Sequence, residues 1–190
     1  MKIVFATGNP HKLQEINEIS NGSAVEFVLP NEGFNPEENG STFEENSLIK
    51  AQEAFRVSTG MMCLADDSGL CVEALNGAPG LHSARYAGTQ QEKIDKILSE
   101  LAPHTNRKAK FICVMTLLDT DGEVLHVSKG ECQGEIAKSQ SGKNGFGYDP
   151  VFIVEGTNLT MADMSEDVKN KISHRAKALS DMLSFIETLK

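Results

Sequence analysis

Two adjacent carboxylates, Asp66 and Asp67, follow the apolar run Met61–Ala65, and Ser68 and Gly69 come directly after them. A buried strand over 61–65 would carry both carboxylates to its C-terminal tip, where ligands of open α/β sheets collect. Such a pair suits a metal ion or a general base. Gly77, Pro79 and Gly80 then impose tight turns. The remaining chemistry-bearing residues are the groups that would meet this pair.

Several of those groups are cationic. Residues 2–6, KIVFA, read as a short buried strand that leads into Thr7-Gly8-Asn9-Pro10-His11-Lys12. Gly8 permits an unusual backbone angle, Asn9 is a good N-cap and Pro10 suits the first helical position. A helix follows, with Leu13, Ile16 and Ile19 on one face. This order presents free N–H groups and a positive helix end to an anion, and Lys12 adds a full charge. It is not a Walker A motif, and alone it reads equally well as an ordinary strand–helix turn. Lys50 lies off the apolar stripe Leu48, Ala51, Phe55 of a second helix, where a lysine is commonly just solvated. Lys169, Lys171, His174 and Arg175 gather around the start of a last helix, with Ser173 as its expected cap. Cations there oppose the helix dipole, so an anion or a carboxylate should meet them.

Acidic and aromatic partners complete the set. The polar loop 30–40 holds Glu37 and Glu38 and precedes a helix capped by Ser41 or Thr42, with Glu44 or Glu45 as the box partner. The stretch 142–152, GKNGFGYDPVF, sets glycines around Phe146, Tyr148 and Asp149. Those glycines let the backbone approach a flat ligand, and an exposed aromatic face can stack on a base. The other reading is a glycine loop with both rings in the core. Magnesium takes oxygen ligands, through one or two carboxylates plus substrate phosphates. Phosphate-binding cations, a carboxylate cluster and a base-stacking loop together point to a nucleoside triphosphate.

The rest of the chain is scaffold. Thr89 and Glu92 form a capping box for a helix with Ile94, Ile97, Leu98 and Leu101, expected to serve packing only. Residues 109–118 read as a strand, Asp119-Thr120-Asp121-Gly122 as a hairpin turn, and 131–137 as a further strand. The turn is not a calcium loop, because Gly130 stands where the closing glutamate belongs.

The 190 residues favour one domain over 1–190, with two lobes possible. A formal charge of −9 argues against a nucleic-acid polymer as partner but not against a small anion in a local basic pocket. No apolar run nears the ~20 residues that span a bilayer, and the N-terminus lacks signal-peptide features. The expectation is a cytoplasmic protein without membrane contact. Cys63, Cys71, Cys113 and Cys132 lack C-x-x-C pairing and read as reduced thiols in or near the core. The histidines lack zinc spacing.

TGNPHK at 7–12, ENSLIKA at 45–51, ADDSGL at 65–70, GAPGLHSARYAG at 77–88, GFGYDPVF at 145–152 and SHRAKAL at 173–179 resemble the inosine triphosphate pyrophosphatase family. The blocks keep the family's order across nearly the whole chain. The resemblance implies an elongated α/β protein: a mixed, twisted sheet flanked by helices, two lobes with a central nucleotide cleft, and a homodimer. It implies Mg2+-dependent hydrolysis of inosine, deoxyinosine and xanthosine triphosphates to monophosphate and pyrophosphate. By position, Thr7, Gly8, Asn9, Pro10, His11 and Lys12 should hold the triphosphate with Lys50 and Ser68. Asp67 should ligate magnesium and act as general base, with Glu38 as the second ligand and Asp66 in support. Phe146 should stack on the purine beside Gly147, Tyr148 and Asp149, while Lys169, His174 and Arg175 read the base edge. Two alternatives remain: a nucleotide pyrophosphatase with another base preference, and a nucleotide-binding protein without turnover.

Overall fold

The computed structural model describes residues 1–189. The described residues fold as two compact units: unit 1 takes residues 1–67, 113–130 and 174–189, and unit 2 takes 68–112 and 131–173. Among the described residues, β1 (Lys2–Phe5), β2 (Glu26–Val28), β3 (Cys63–Val72), β4 (Lys108–Leu118), β5 (Val124–Ile136) and β6 (Phe152–Val154) are hydrogen-bonded in the order β2-β1-β3-β4-β5-β6, and β3, β4 and β5 each contribute residues to both units.

Unit 1 begins with β1 (Lys2–Phe5), which pairs in parallel with β2 (Glu26–Val28) and with β3 (Cys63–Val72). Successive side chains of a strand point to opposite faces, and β1 sorts its residues accordingly. Ile3 and Phe5 join a cluster with Ile16, Leu179, Met182 and Ile186, from helices α1 (Pro10–Ile19) and α5 (His174–Glu187). Val4 and Ala6 join Ala51 and Ala54 of helix α2 (Phe43–Val57). The sheet of unit 1 is thus covered by α1 and α5 on one face and by α2 on the other.

Unit 2 packs one core around Leu70 and Val72 of β3, Ile94 and Ile97 of α3 (Gln90–Glu100), Phe111 of β4 (Lys108–Leu118), Ile136 of β5 (Val124–Ile136) and Phe152 of β6 (Phe152–Val154). β5 and β6 pair antiparallel, with Gly134 opposite Val154. Helix α4 (Glu166–Ile172) closes the unit in sequence.

Most elements fall where the sequence puts them, and the differences have physical reasons. β3 does not stop at Ala65. It runs on to Val72, so Asp66 and Asp67 sit mid-strand rather than at a tip. The apolar residues Leu70 and Val72 find a core beyond the carboxylates and draw the strand onward. β5 is one strand of 13 residues that starts at Val124, earlier than the 131–137 strand read from the sequence. The polar stretch before Ser173 is itself helical, as α4, with Glu166 and Asp167 in its first turn. Thr42, not Ser41, caps α2, and Glu45 reaches back to the Ser41 amide at 2.6 Å, which accounts for that glutamate by capping. Gly8 is not among the glycines with positive φ. The 119–122 turn closes as expected, with Asp119 Oδ1 accepting from the Asp121 and Glu123 amides. All four cysteines are free thiols, and no described helix is long and apolar enough to cross a membrane.

Candidate active site

The alternation of β3 decides the fate of its two aspartates. Asp66 shares the parity of Leu64 and turns to the α1/α5 face. Asp67 shares the parity of Ala65 and turns to α2.

On the α1/α5 face, Asp66 is a hub. Lys12, in the first turn of α1, donates to both of its oxygens at 3.0 and 3.1 Å. Arg175, in the first turn of α5, donates to Asp66 Oδ2 through Nε at 3.3 Å and a terminal nitrogen at 3.2 Å. The other terminal nitrogen of Arg175 pairs with Glu15 of α1. The carboxylates that the cationic start of α5 called for are therefore Glu15 and Asp66. Burial alone would raise the Asp66 pKa, but Lys12, Arg175 and Lys50 outweigh it and hold the carboxyl well below the usual range. Arg175 is pushed the other way: burial disfavours its charge, yet Glu15 and Asp66 more than restore it. Cys113 lies against this hub, and burial next to Asp66 raises its thiol pKa far above normal, so it stays protonated.

On the α2 face, Lys50 donates to Asp67 Oδ1 at 2.6 Å and to Glu38 at 3.0 Å. Lys50 is buried rather than solvated. Asp67 Oδ2 is buried and has no hydrogen-bond partner among the described residues. Burial raises the Asp67 pKa, and the negative Asp66 and Glu38 add to the rise against the pull of Lys50. Lys50 is itself raised. Burial disfavours its charge, but Asp66, Asp67 and Glu38 together favour it. Three carboxylates around one ammonium produce both directions. Asp67 and Glu38 share this one lysine, which leaves the α2 face with negative charge to spare for a cation.

The remaining unit 1 residues build the turn before α1. Asn9 caps the helix by accepting from the His11 amide at 3.0 Å, and Thr7 Oγ1 accepts from the Asn9 amide at 3.0 Å. Pro10 stands at the first helical position. Gly8, Pro10 and His11 are exposed, and a Cβ on Gly8 would meet nothing within 4 Å. A turn at the positive end of a helix, with open space beside Gly8, suits an anion. His174 is buried at the start of α5.

Unit 2 holds the aromatic loop. Asp149 is buried, and its Oδ2 accepts from the Phe146 amide and from Lys169 Nζ, each at 2.9 Å. Lys169 thereby lies 4.8 Å from the Phe146 ring centre, within cation–π range. Gly145 must be glycine here, because its φ is +72° and a Cβ would stand 2.1 Å from Asp149 Oδ2. Phe146 is half-buried, whereas Tyr148 belongs to the core and donates to the Ser83 carbonyl at 3.0 Å. Ser83 in turn accepts from the Leu70 amide and donates to the Gly80 carbonyl. Ser68 is half-buried on β3, directly after Asp67.

Two participants escaped the sequence reading. Glu15 was legible only as a carboxylate three residues after Lys12, on the same side of α1. Gln90 opens α3, which does more than pack: its Oε1 accepts from the Gly147 amide at 3.2 Å and ties the aromatic loop to the helix. Nothing in its sequence context marks it.

No group of three or more His, Cys, Asp or Glu among the described residues could hold a metal by itself. Two carboxylates, Asp67 and Glu38, do converge on one cation, and one buried oxygen of Asp67 remains unsatisfied. That donor set fits magnesium, which commonly takes one or two protein carboxylates and draws the rest of its shell from water and phosphate.

Known proteins share this chain's sequence and fold. A model of the Ham1 family matches residues 3–185. The dITP/XTP pyrophosphatase of Treponema denticola is 44% identical over 196 aligned residues, covering 98% of this chain and 99% of that protein. The protein of the same name from Mannheimia succiniciproducens is 45% identical over 194, covering 96% of each. The solved Staphylococcus aureus Ham1 protein superposes with a TM-score of 0.88 at 41% identity and full coverage of both chains. Matching sequence and fold over almost their entire length, the chain belongs to the Ham1 family.

Proposed function

We propose that this enzyme hydrolyses the triphosphates of inosine, deoxyinosine and xanthosine to the monophosphate and pyrophosphate, with magnesium, and so removes non-standard purines from the nucleotide pool. The observation that carries the reading is Asp67: one oxygen bonded to Lys50, the other buried and unpartnered. A carboxylate with a raised pKa and a vacant lone pair is suited to take a proton from water.

In unit 1, the Thr7–Lys12 turn at the positive end of α1 and the charges of Lys12 and Lys50 neutralise phosphate oxygens as negative charge shifts to the pyrophosphate leaving group. Ser68, which opens unit 2, touches the phosphates. Asp67 orients and deprotonates the attacking water. Glu38 and Asp67 would hold the metal, whose chemistry is to neutralise phosphate charge and acidify water. In unit 2, the Phe146 ring stacks on the purine, with Gly147, Tyr148 and Asp149 forming that wall and Lys169 fixed beside it. The 6-oxo group of hypoxanthine or xanthine accepts from Lys169, His174 or Arg175, whereas the 6-amino group of adenine, itself a donor, would face them without an acceptor. An unpaired buried donor costs about 1–3 kcal/mol. A homodimer in the cytoplasm belongs to the same reading and rests on the family resemblance.

The deciding experiment is a steady-state panel of ITP, dITP, XTP, ATP and GTP with pyrophosphate detection, with and without Mg2+. Preference for the 6-oxo, 2-amino-free bases and dependence on Mg2+ are expected. Preference for pyrimidine nucleotides, or binding without turnover, would replace the reading with one of its alternatives.

A further inference from the structure

Glu38 lies on the long connection between β2 and α2, which has no helix or strand of its own between Val28 and Phe43. A carboxylate on such a segment would be a poor ligand unless the segment were held. Helix α2 holds it along one face. Asn46, Lys50, Glu53 and Val57 recur at spacings of four, three and four residues, which stacks them on a single side of the helix. Each of them touches the connection. The Gly40 amide donates to Asn46 Oδ1 at 2.8 Å. Lys50 meets Glu38 itself at 3.0 Å. The Asn35 amide donates to Glu53 Oε1 at 3.2 Å, and the Val57 carbonyl accepts from the Asn31 side chain at 2.9 Å.

Two details show how tightly the contacts are built. Asn46 is 1% exposed, and a Cβ on Gly40 would come within 2.7 Å of its Oδ1, so the connection seats only because residue 40 lacks a side chain. Glu53 is gripped by Arg56, which donates to both of its oxygens at 2.8 Å and also bonds the Gly33 carbonyl at 3.1 Å. Arg56 and the Asn35 amide lower the Glu53 pKa to about 2, so it stays ionised and can accept.

We infer that residues 31–40 form a strap whose seating on α2, through Glu53 and Asn46, sets the position of the Glu38 carboxylate and thereby the affinity of the site for a divalent cation. Glu53 and Asn46 are positioning residues that act through Glu38. The inference rests on the proposed reading of Glu38 as a metal ligand.

The test titrates the full-length enzyme with Mn2+ alone, without nucleotide, and follows the free-ion signal by electron paramagnetic resonance. Glu53→Ala should weaken Mn2+ binding roughly tenfold, as loss of a partner that orients a ligand does. Its melting temperature and its kcat at saturating metal should stay near wild type. Glu53→Gln keeps the Oε1 acceptor for Asn35 and should recover most of the affinity. Glu38→Gln separates the two ideas. If it binds Mn2+ like wild type, or wild type binds none, Glu38 is no ligand and the reading and the inference fall together. If Glu38→Gln loses the ion while Glu53→Ala keeps wild-type affinity, the reading stands and the strap inference is overturned. Equal loss in both Glu53 variants with lowered melting temperatures also overturns it, because that pattern marks a general stabilising role.

Discussion

Asp66 and Asp67 are consecutive residues of one strand, yet unit 1 uses them in opposite ways. On the α1/α5 face Asp66 meets Lys12 and Arg175, and every nearby cation favours its charge. On the α2 face Asp67 shares a single lysine with Glu38 and keeps one oxygen unsatisfied. One face neutralises its carboxylate within the protein, while the other leaves charge and a lone pair over. A buried carboxylate whose charge is matched within the protein orders the groups around it. A carboxylate that is underpaired and partly desolvated is available to a proton or a metal. The same residue type becomes scaffold or reagent according to the number of cations its face supplies.

Removing each charge in turn should separate the two roles most sharply. Asp67→Asn should lower kcat by about 10²–10⁴-fold, the usual contribution of a positioned base, while nucleotide binding and the folded state persist. Near-normal turnover in this variant would remove Asp67 as the base. Asp66→Ala should instead strike the fold. It strips a buried cation pair of its shared partner, a change that costs ~3–5 kcal/mol in comparable sites, measurable as a shift of the urea midpoint. Equal stability losses in both variants would erase the distinction between the faces.

Acid should distinguish them next. The Asp66 pKa is depressed from its unfolded value of 3.8, so its stabilisation is present above that value and fades as pH falls below it. The Asp67 pKa is raised, so its favourable contribution exists below 3.8 and is lost as pH rises through the folded value. Asp67→Asn should therefore gain stability over wild type near neutrality, and the gain should vanish toward pH 3.8. In the wild-type pH–rate profile, the acid limb of kcat/KM should lie above the ordinary aspartate range; a limb at 3.8 or lower would contradict the raised pKa.

Changes in unit 2 serve as controls, since they leave both faces of the unit 1 sheet intact. Phe146→Ala should raise KM for each purine substrate by the worth of one base–aromatic stack, about 1–3 kcal/mol, with Mn2+ affinity unmoved. An unchanged KM would return Phe146 to a packing role. The smallest effect is expected from Tyr148→Phe. It deletes one buried hydrogen bond to the Ser83 carbonyl and should cost ~1 kcal/mol of stability, and calorimetric melting can resolve that.

Local features were legible because they depend on neighbours in the chain. Asn9 and Pro10 mark the start of α1, Thr89 and Glu92 that of α3, and the Asp119–Gly122 turn follows from its own residue types. The ordered motif blocks also disclosed the family. What stayed hidden depended on pairings across many residues. The extent of β3 was set by a core waiting for Leu70 and Val72, and Glu15 and Gln90 gained their roles only from Arg175 and Gly147, far away in sequence.

The sequence by itself determined that acidic and basic groups of the right kinds exist, which helices carry them, and that Asp66 and Asp67 sit together. Only the tertiary structure decided which of the two is used up. The pleat sends adjacent side chains to opposite faces, and the helices packed on those faces bring Lys12 and Arg175 to one and Lys50 alone to the other. Charge balance in a buried site is a sum over packed neighbours, and which neighbours enter that sum is fixed by the fold.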